Sequence, residues 1–319
     1  MKAYIGIDIS KPRLDVDWQG KSISFENKKK GITQLITKLK KINEKGELGL
    51  AVLEASGGYE NCLVKACHEN HLPVHVAHAN KVRAFAKSKG ILAKTDKLDA
   101  SVLSEYGSLM KVEPDKVLLT ENGEKIGVLL GRREQLMNDR QREKNRLDKI
   151  DDEVIKTSVE SHIKWLSDEI KNMDQQLNEH SQMIDIKPKH DLLISIPAVG
   201  GLVANYLIAN LPELGLLTHK AIAALVGVAP YNRDSGSFSG KRFIHGGRKE
   251  LRNVLYMSAI VSVRCNVDMK VFYKRLREAG KPAKVALIAV LRKLLSVINS
   301  VIRRQTPWQE KMETTVSLG

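Results

Sequence analysis

The chain has 319 residues, 42% of them hydrophobic and 28% charged, with a net charge of +15 and a pI near 9.6. That length accommodates two domains and a spacer, and the apolar fraction is enough to build packed cores. The basic balance points to a polyanionic partner, while Cys62, Cys67 and Cys265 form no zinc-ligand pattern and, as a sparse odd set, point to a reducing compartment.

Residues 3–9 read as a strand. Leu14, Val16 and Trp18 alternate with polar residues, and Ile23 and Phe25 do the same beyond Gln19-Gly20, so a hairpin continues the first strand. Ile32, Leu35, Ile36 and Leu39 give residues 30–43 a helical spacing. A short apolar strand at 48–53, a helix at 59–70 carrying Cys62 and Cys67, and a strand marked by Val74 and Val76 follow. Residues 80–110 read as helical with a break near Gly90. Lys2 and the polar residues from Asp8 onward interrupt any signal peptide. The apolar runs read as too short or too charged to span a bilayer, so no membrane is expected and the location is cytoplasmic.

Residues 122–184 change character: they are charged, contain no proline and lack strand patterns. Leu129, Leu136, Leu147, Ile150 and Val154 lie near heptad positions, and Ile163, Leu166, Ile170, Met173 and Leu177 follow a 3-4-3-4 spacing. Two long helices packed as a coiled coil fit that pattern, either as an intramolecular hairpin or as an oligomerisation arm. After Lys187-Pro188 a second domain begins. Ile196-Pro197-Ala198-Val199-Gly200-Gly201 separates helical runs at 190–195 and 202–211, as in a helix-hairpin-helix, whose turn amides can hold a phosphate. Residues 241–304 hold 16 Lys and Arg against 3 Asp and Glu, a net of +13 that suits a localised nucleic-acid surface.

Two constellations carry chemistry. Asp8 lies inside the apolar run 4–9, Glu54 closes the run 50–54, and Asp96 and Asp99 are spaced to share one helix face. Acids on apolar strands are costly unless something cationic compensates them, and hard divalent cations prefer carboxylate oxygens. Two such ions stabilise both the entering and leaving oxygens of a phosphoryl transfer. The second constellation is the loop 234–242, rich in Gly and Ser, with Arg233, Lys241, Arg242, His245 and Arg248 close by to bind a phosphate and activate a serine hydroxyl.

With these residues in view, the chain resembles the DEDD transposases of bridge-RNA-guided insertion sequences. The matching segments are Gly6-Ile7-Asp8, Glu54 to Tyr59, Lys94-Thr95-Asp96 with Asp99-Ala100, Ile196-Pro197 with Gly200, Ser235-Gly236, and Leu251-Arg252 with Leu255-Tyr256-Met257. The resemblance runs in order through about residue 300. It implies a RuvC-like domain holding Mg²⁺ through Asp8, Glu54, Asp96 and Asp99, a coiled coil, and a transposase domain whose nucleophile is Ser235, with Ser237 and Ser239 as near alternatives. It also implies that acids and serine meet across subunits and that a structured RNA pairs with donor and target DNA.

The expected architecture is therefore α/β plus α. A ribonuclease-H/RuvC-like domain spans 1–120, a helical coiled-coil spacer 121–186, and a mainly helical transposase domain 187–319. The expected function is DNA recombination that excises and inserts the chain's own element through a phosphoserine intermediate. Donor and target DNA, a guide RNA and further subunits, as a dimer or tetramer, are the expected partners. Arg233, Lys241, Arg242, His245, Arg248 and Arg252 are the expected backbone contacts; with only 5% aromatics, base stacking is the smaller contribution. The alternative enzyme is a metal-dependent, junction-resolvase-like nuclease using the acids alone. A nucleic-acid-binding protein with a degenerate site is the non-enzymatic alternative, and the four intact acids count against it.

Overall fold

The computed structural model describes residues 2–91, 96–115, 120–231 and 242–309, and the side chains of 96–98 fall outside that description. The chain divides into two compact units, Met1–Leu118 and Leu119–Gly319.

The first unit is built on a mixed five-stranded sheet. Strands β1 (Ala3–Ile9), β2 (Arg13–Trp18) and β3 (Lys21–Glu26) form an antiparallel meander, turned at Gln19 and Gly20, both with positive φ. After α1 (Lys29–Glu44), strand β4 (Leu48–Glu54) returns parallel to β1; α2 (Asn61–Glu69) and the parallel β5 (Val74–Ala77) follow, giving the order β3-β2-β1-β4-β5. The helices α3 (Ala79–Ser88) and α4 (Asp96–Met110) complete the unit. Side chains alternate across a strand, so each face has its own core. Ile5, Ile7, Ala51 and Leu53 pack under α1 and α2 with Ile32, Leu35, Leu39 and Leu63. Leu50 and Val52 pack on the other face with Tyr4, Val102, Leu103 and Tyr106 of α4.

The second unit is helical among its described residues, apart from one short ladder. Two long helices, α5 (Glu121–Leu147) and α6 (Glu153–Ser181), lie antiparallel, as the ion pairs Arg133–Asp174 (2.6 Å) and His162–Glu143 (3.3 Å) require. Leu136, Leu166 and Ile170 are buried in their seam and Met173 packs against them, so that part of the 3-4-3-4 stripe faces α5. Next come α7 (Lys187–Ile194), a turn in which Ala198 has a φ of 73°, α8 (Gly201–Asn210) and α9 (His219–Val226). Strands β6 (Pro230–Tyr231) and β7 (Phe243–Ile244) pair antiparallel, and α10 (Lys249–Cys265), α11 (Val267–Glu278) and α12 (Ala283–Arg304) close the unit.

One expectation is corrected here. Helix α12 is long and apolar enough to cross a membrane, with a mean hydropathy of 2.0 over its best window. Arg292 and Lys293 made that run read as too charged, yet they are the only charges between Val285 and Ile302. Half of the window is buried within the protein. Val290, Leu291, Leu294, Leu295 and Ile298 form the centre of the helical core with Leu207, Ile222 and Leu255.

Candidate active site

The acid-bearing face of the first unit follows from strand register. Ile7 of β1 pairs with Leu53 of β4, and both belong to the core under α1 and α2. One residue further on, Asp8 and Glu54 turn to the opposite face, the one α4 covers. Gly6 explains how α4 comes so close: a Cβ there would stand 1.9 Å from the Ala100 carbonyl oxygen and 2.5 Å from the Ser104 amide. Gly107 likewise leaves room for Val52 and Tyr4, and Ser104 Oγ donates to the Tyr4 carbonyl at 2.8 Å. Tyr4 therefore meets Ser104 and Gly107, and Gly6 meets Ala100 and Ser104, so α4 runs antiparallel to β1. Asp8 lies two residues beyond Gly6, about 7 Å along the strand. One helical turn, about 5.4 Å, separates Ala100 from Asp96. The first turn of α4, Asp96 to Asp99, is thus carried to the end of the sheet where Asp8 and Glu54 emerge.

Asp8, Glu54 and Asp99 are all half-buried. Among the described residues, no group of three or more His, Cys, Asp or Glu stands close enough to hold a metal ion; the Asp96 side chain is outside that set. The donor chemistry nonetheless fits: an all-carboxylate set on one face, drawn from two strand ends and a helix turn, suits a hard divalent cation.

The loop after Glu54 is fixed by a carboxylate that sequence reasoning passed over. Glu60 is 9% exposed, and its Oε2 accepts from Ser56 Oγ (2.6 Å), the Gly58 amide (2.9 Å) and the Ser56 amide (3.2 Å). Burial alone would raise its pKa, but these hydrogen bonds prevail and hold it below the ordinary glutamate value. Gly57 and Gly58 supply the positive φ the loop needs, 81° and 111°.

Two more carboxylates share the Asp8 face. Asp15 pairs directly across from Asp8 and Asp17 across from Gly6, at 4% and 7% exposure. Asp15 Oδ1 accepts from Ser24 Oγ, and its Oδ2 lies 3.3 Å from the Arg13 guanidinium. Desolvation raises the Asp17 pKa, against a lowering hydrogen bond from the Gly20 backbone. The alternation of Leu14, Val16 and Trp18 with polar residues does not say what covers the polar side. That side is roofed by α4, and only the close approach at Gly6 could have revealed it.

In the second unit, Ser235, Ser237, Ser239, Arg233 and Lys241 lie outside the described residues. The base of their loop is on view: Tyr231 pairs with Phe243 and Pro230 with Ile244. Gly227 and Gly247, with φ of 81° and 70°, cross so closely that a Cβ on Gly247 would stand 2.2 Å from the Gly227 nitrogen. Arg242 and His245 are exposed. Arg248 and Arg252, expected on the phosphate surface, are instead engaged by the protein itself. Arg248 makes a two-point pair with Glu213 (2.6 and 2.7 Å) and donates to the Asn210 carbonyl (2.8 Å); Arg252 donates to the Gly246 carbonyl. Between α7 and α8 the chain turns, with Gly200 as N-cap of α8 and no side-chain cap.

Comparison with known proteins bears on both units. Residues 5–155 match the IS110-type DEDD transposases, described as "Transposase", and residues 190–274 match the "Transposase IS116/IS110/IS902 family". The pilin gene-inverting proteins of Moraxella lacunata and Moraxella bovis are each 30% identical over 98% of this chain and 99% of their own length. The insertion element IS900 uncharacterized 42 kDa protein of Mycobacterium paratuberculosis is 30% identical over 43% of this chain and 36% of its own. A Thermus thermophilus RuvC structure covers 35% of this chain and 98% of its own at a TM-score of 0.26 and 12% identity, too loose a superposition to carry an argument.

Proposed function

This chain belongs to the IS110-type DEDD transposase family, enzymes that cleave and transfer DNA strands, and on that premise we propose that it excises and inserts its own element through a phosphoserine link on Ser235, guided by a structured RNA. The observation that carries the acid half of this reading is the register of Ile7 with Leu53 together with the α4 approach at Gly6, which directs Asp8, Glu54 and the Asp96–Asp99 turn to one end of one face. Those four acids are the proposed ligands of Mg²⁺. Bound there, the metal supplies charge stabilisation for oxygens that become anionic as the phosphate reacts.

The serine half rests on the motif match at Ser235-Gly236 and on the anchored base of its loop. Ser235 Oγ forms a bond to phosphorus while a bridging P–O bond breaks; the serine proton is lost and the departing sugar oxygen is protonated. Attack of a second strand's hydroxyl on the phosphoserine reverses the exchange and joins the strands. Exposed Arg242 and His245, with Arg233 and Lys241, are the proposed contacts to the DNA backbone near the loop. Lys249, Lys270, Lys274 and Arg275 are exposed on α10 and α11 and extend that surface. Arg248 and Arg252 act one step back, by holding the loop base. The helical hairpin α5–α6 is the proposed site of self-association into a dimer or tetramer.

A nuclease using the acids alone is the second reading, favoured by the fact that all four acids belong to the first unit. The test is to incubate the protein with Mg²⁺ and DNA bearing the element ends, denature, and search for a protein–DNA adduct. The expected adduct maps to Ser235 and is absent in Ser235→Ala, which still binds DNA. An adduct on Ser237 or Ser239 moves the assignment, and cleaved DNA with no adduct in the wild type establishes the nuclease.

A further inference from the structure

The C-terminal region is not the only basic locus. Residues 1–118 hold 20 Lys and Arg against 14 Asp and Glu, a net of +6, and residues 28–41 alone hold six lysines and no acid. Lys28, Lys29, Lys30, Lys38, Lys40 and Lys41 are all exposed, and none forms an ion pair among the described residues. Three of them, Lys28, Lys29 and Lys40, line a groove of about 590 Å³ between α1 and α2, against the single carboxylate of Glu69 on the α2 side. The face of the sheet under α1 and α2 is the one opposite to Asp8 and Glu54, so a strand lying here is not the strand presented to the acids.

The polar groups of the groove have a common bias. Thr33 Oγ1 donates to the Lys29 carbonyl and Thr37 Oγ1 to the Thr33 carbonyl, each at 2.8 Å. Asn70 Nδ2 donates to the Ala66 carbonyl at 2.7 Å, and Asn27 Nδ2 to the carbonyls of Ser10 and Tyr59 at 2.9 and 3.2 Å. The two threonine hydroxyls and both N–H groups of Asn27 are committed internally and Asn70 keeps one N–H free, so what these groups mainly offer a ligand is acceptor oxygens. Phosphates would meet the lysines. The acceptors would meet hydroxyl donors, which a ribose carries at its 2′ position and a deoxyribose lacks.

From charge, groove and acceptor bias together we infer that the α1–α2 groove binds the backbone of single-stranded RNA. The inference rests on the proposal that this protein works with a structured RNA, and it assigns that partner a surface. The lysines hold phosphates without regard to sequence, and Thr33, Thr37, Asn27 and Asn70 distinguish ribose from deoxyribose.

The test uses the full chain with oligo(U) and oligo(dU) probes over a salt series. The wild type is expected to bind oligo(U) more tightly than oligo(dU). The variant Lys28→Ala, Lys29→Ala, Lys40→Ala should weaken RNA binding at least tenfold and lower the log–log salt slope by about 2, at roughly 0.7 for each phosphate no longer neutralised. Thr33→Val with Thr37→Val changes two exposed side chains; it should narrow the RNA-over-DNA preference and leave the salt slope unchanged. A thiouridine oligomer should cross-link within residues 27–45. A wild type that binds RNA while the lysine variant binds it equally well overturns this inference alone. A wild type with no RNA affinity overturns the RNA-guided reading and this inference with it.

Discussion

In the α/β unit the acids are held by backbone pairing, since β1 and β4 are hydrogen-bonded in register up to Ile7 and Leu53, the residues just before Asp8 and Glu54. In the helical unit the segment bearing Ser235 springs from a ladder of two residue pairs, Pro230–Ile244 and Tyr231–Phe243. On the proposed function the contrast follows from what each group would have to do. Carboxylates that share a small hard cation must keep their spacing before it arrives, and strand ends supply that spacing. A nucleophilic serine would have to reach a phosphate, and beside the Ser235 segment Gly227, Gly247, Arg248 and Arg252 interlock.

The sharpest way to break this contrast is at Asp8. Asp8→Asn should lower strand transfer by on the order of 10²–10³-fold or more, the scale of losing one group that stabilises transition-state charge. Its melting temperature should stay near the wild-type value, because Asp8 is half-buried at a strand end. Strand transfer assayed in Mg²⁺ at wild-type rates would remove the acids from the mechanism.

Gly6 sharpens the same comparison through packing. In Gly6→Ala the new methyl lands on the Ala100 carbonyl, a backbone atom that cannot swing aside, so α4 must move off the sheet. The expected cost is about 3 kcal/mol, read as a lower urea midpoint at unchanged slope. Strand transfer should fall as well, because the displaced turn carries Asp96 and Asp99. An undisturbed midpoint would show that α4 sits further from β1.

How much of this could be read in the sequence divides along the same line. Strand and helix order in the first unit followed from periodicity, because β2 alternates and β4 is apolar on both faces. Alternation says nothing of Asp15 and Asp17, which stand on the face opposite Leu14 and Val16 yet are buried. Which helix covers which face is a long-range fact, and β2 and α4 are far apart in sequence. In the second unit the two long helices were legible, but Ile150 falls between them and Val154 is exposed. The Ser235 assignment depended on the family's Ser-Gly pair rather than on any physical pattern, since Gly/Ser loops are common. Nor could a count of charges separate Arg248, spent on Glu213, from Arg242, exposed to a ligand.

That last pair yields a matched test within the helical unit. Arg248→Ala removes a two-point bond to a partly buried carboxylate, leaving Glu213 with the nearby Lys189 charge, and should cost about 1–3 kcal/mol. Arg242→Ala should change stability by less than about 0.5 kcal/mol. It should instead weaken DNA binding and reduce the salt slope by about 1 if Arg242 contacts a phosphate. Chemical denaturation and a salt titration on the two variants separate the roles. Equal loss of stability in both would erase the distinction between loop base and binding surface.

Glu60 gives an effect on stability alone, with a definite sign. Its folded pKa lies below the ordinary value, because three donors at its Oε2 favour the carboxylate over the neutral acid. A depressed carboxylate pKa contributes stability that is complete above the unfolded value, about 4.3, and lost as pH falls through the folded value. Glu60→Gln keeps the shape and removes the charge, so it should cost about 1–2 kcal/mol at neutral pH. As pH falls through that folded value wild-type Glu60 itself takes up a proton, so the two stability curves should converge below it. A gap that persists unchanged into acid would mean that the loop after Glu54 is ordered by packing, and that the carboxylate charge at Glu60 contributes nothing to holding it.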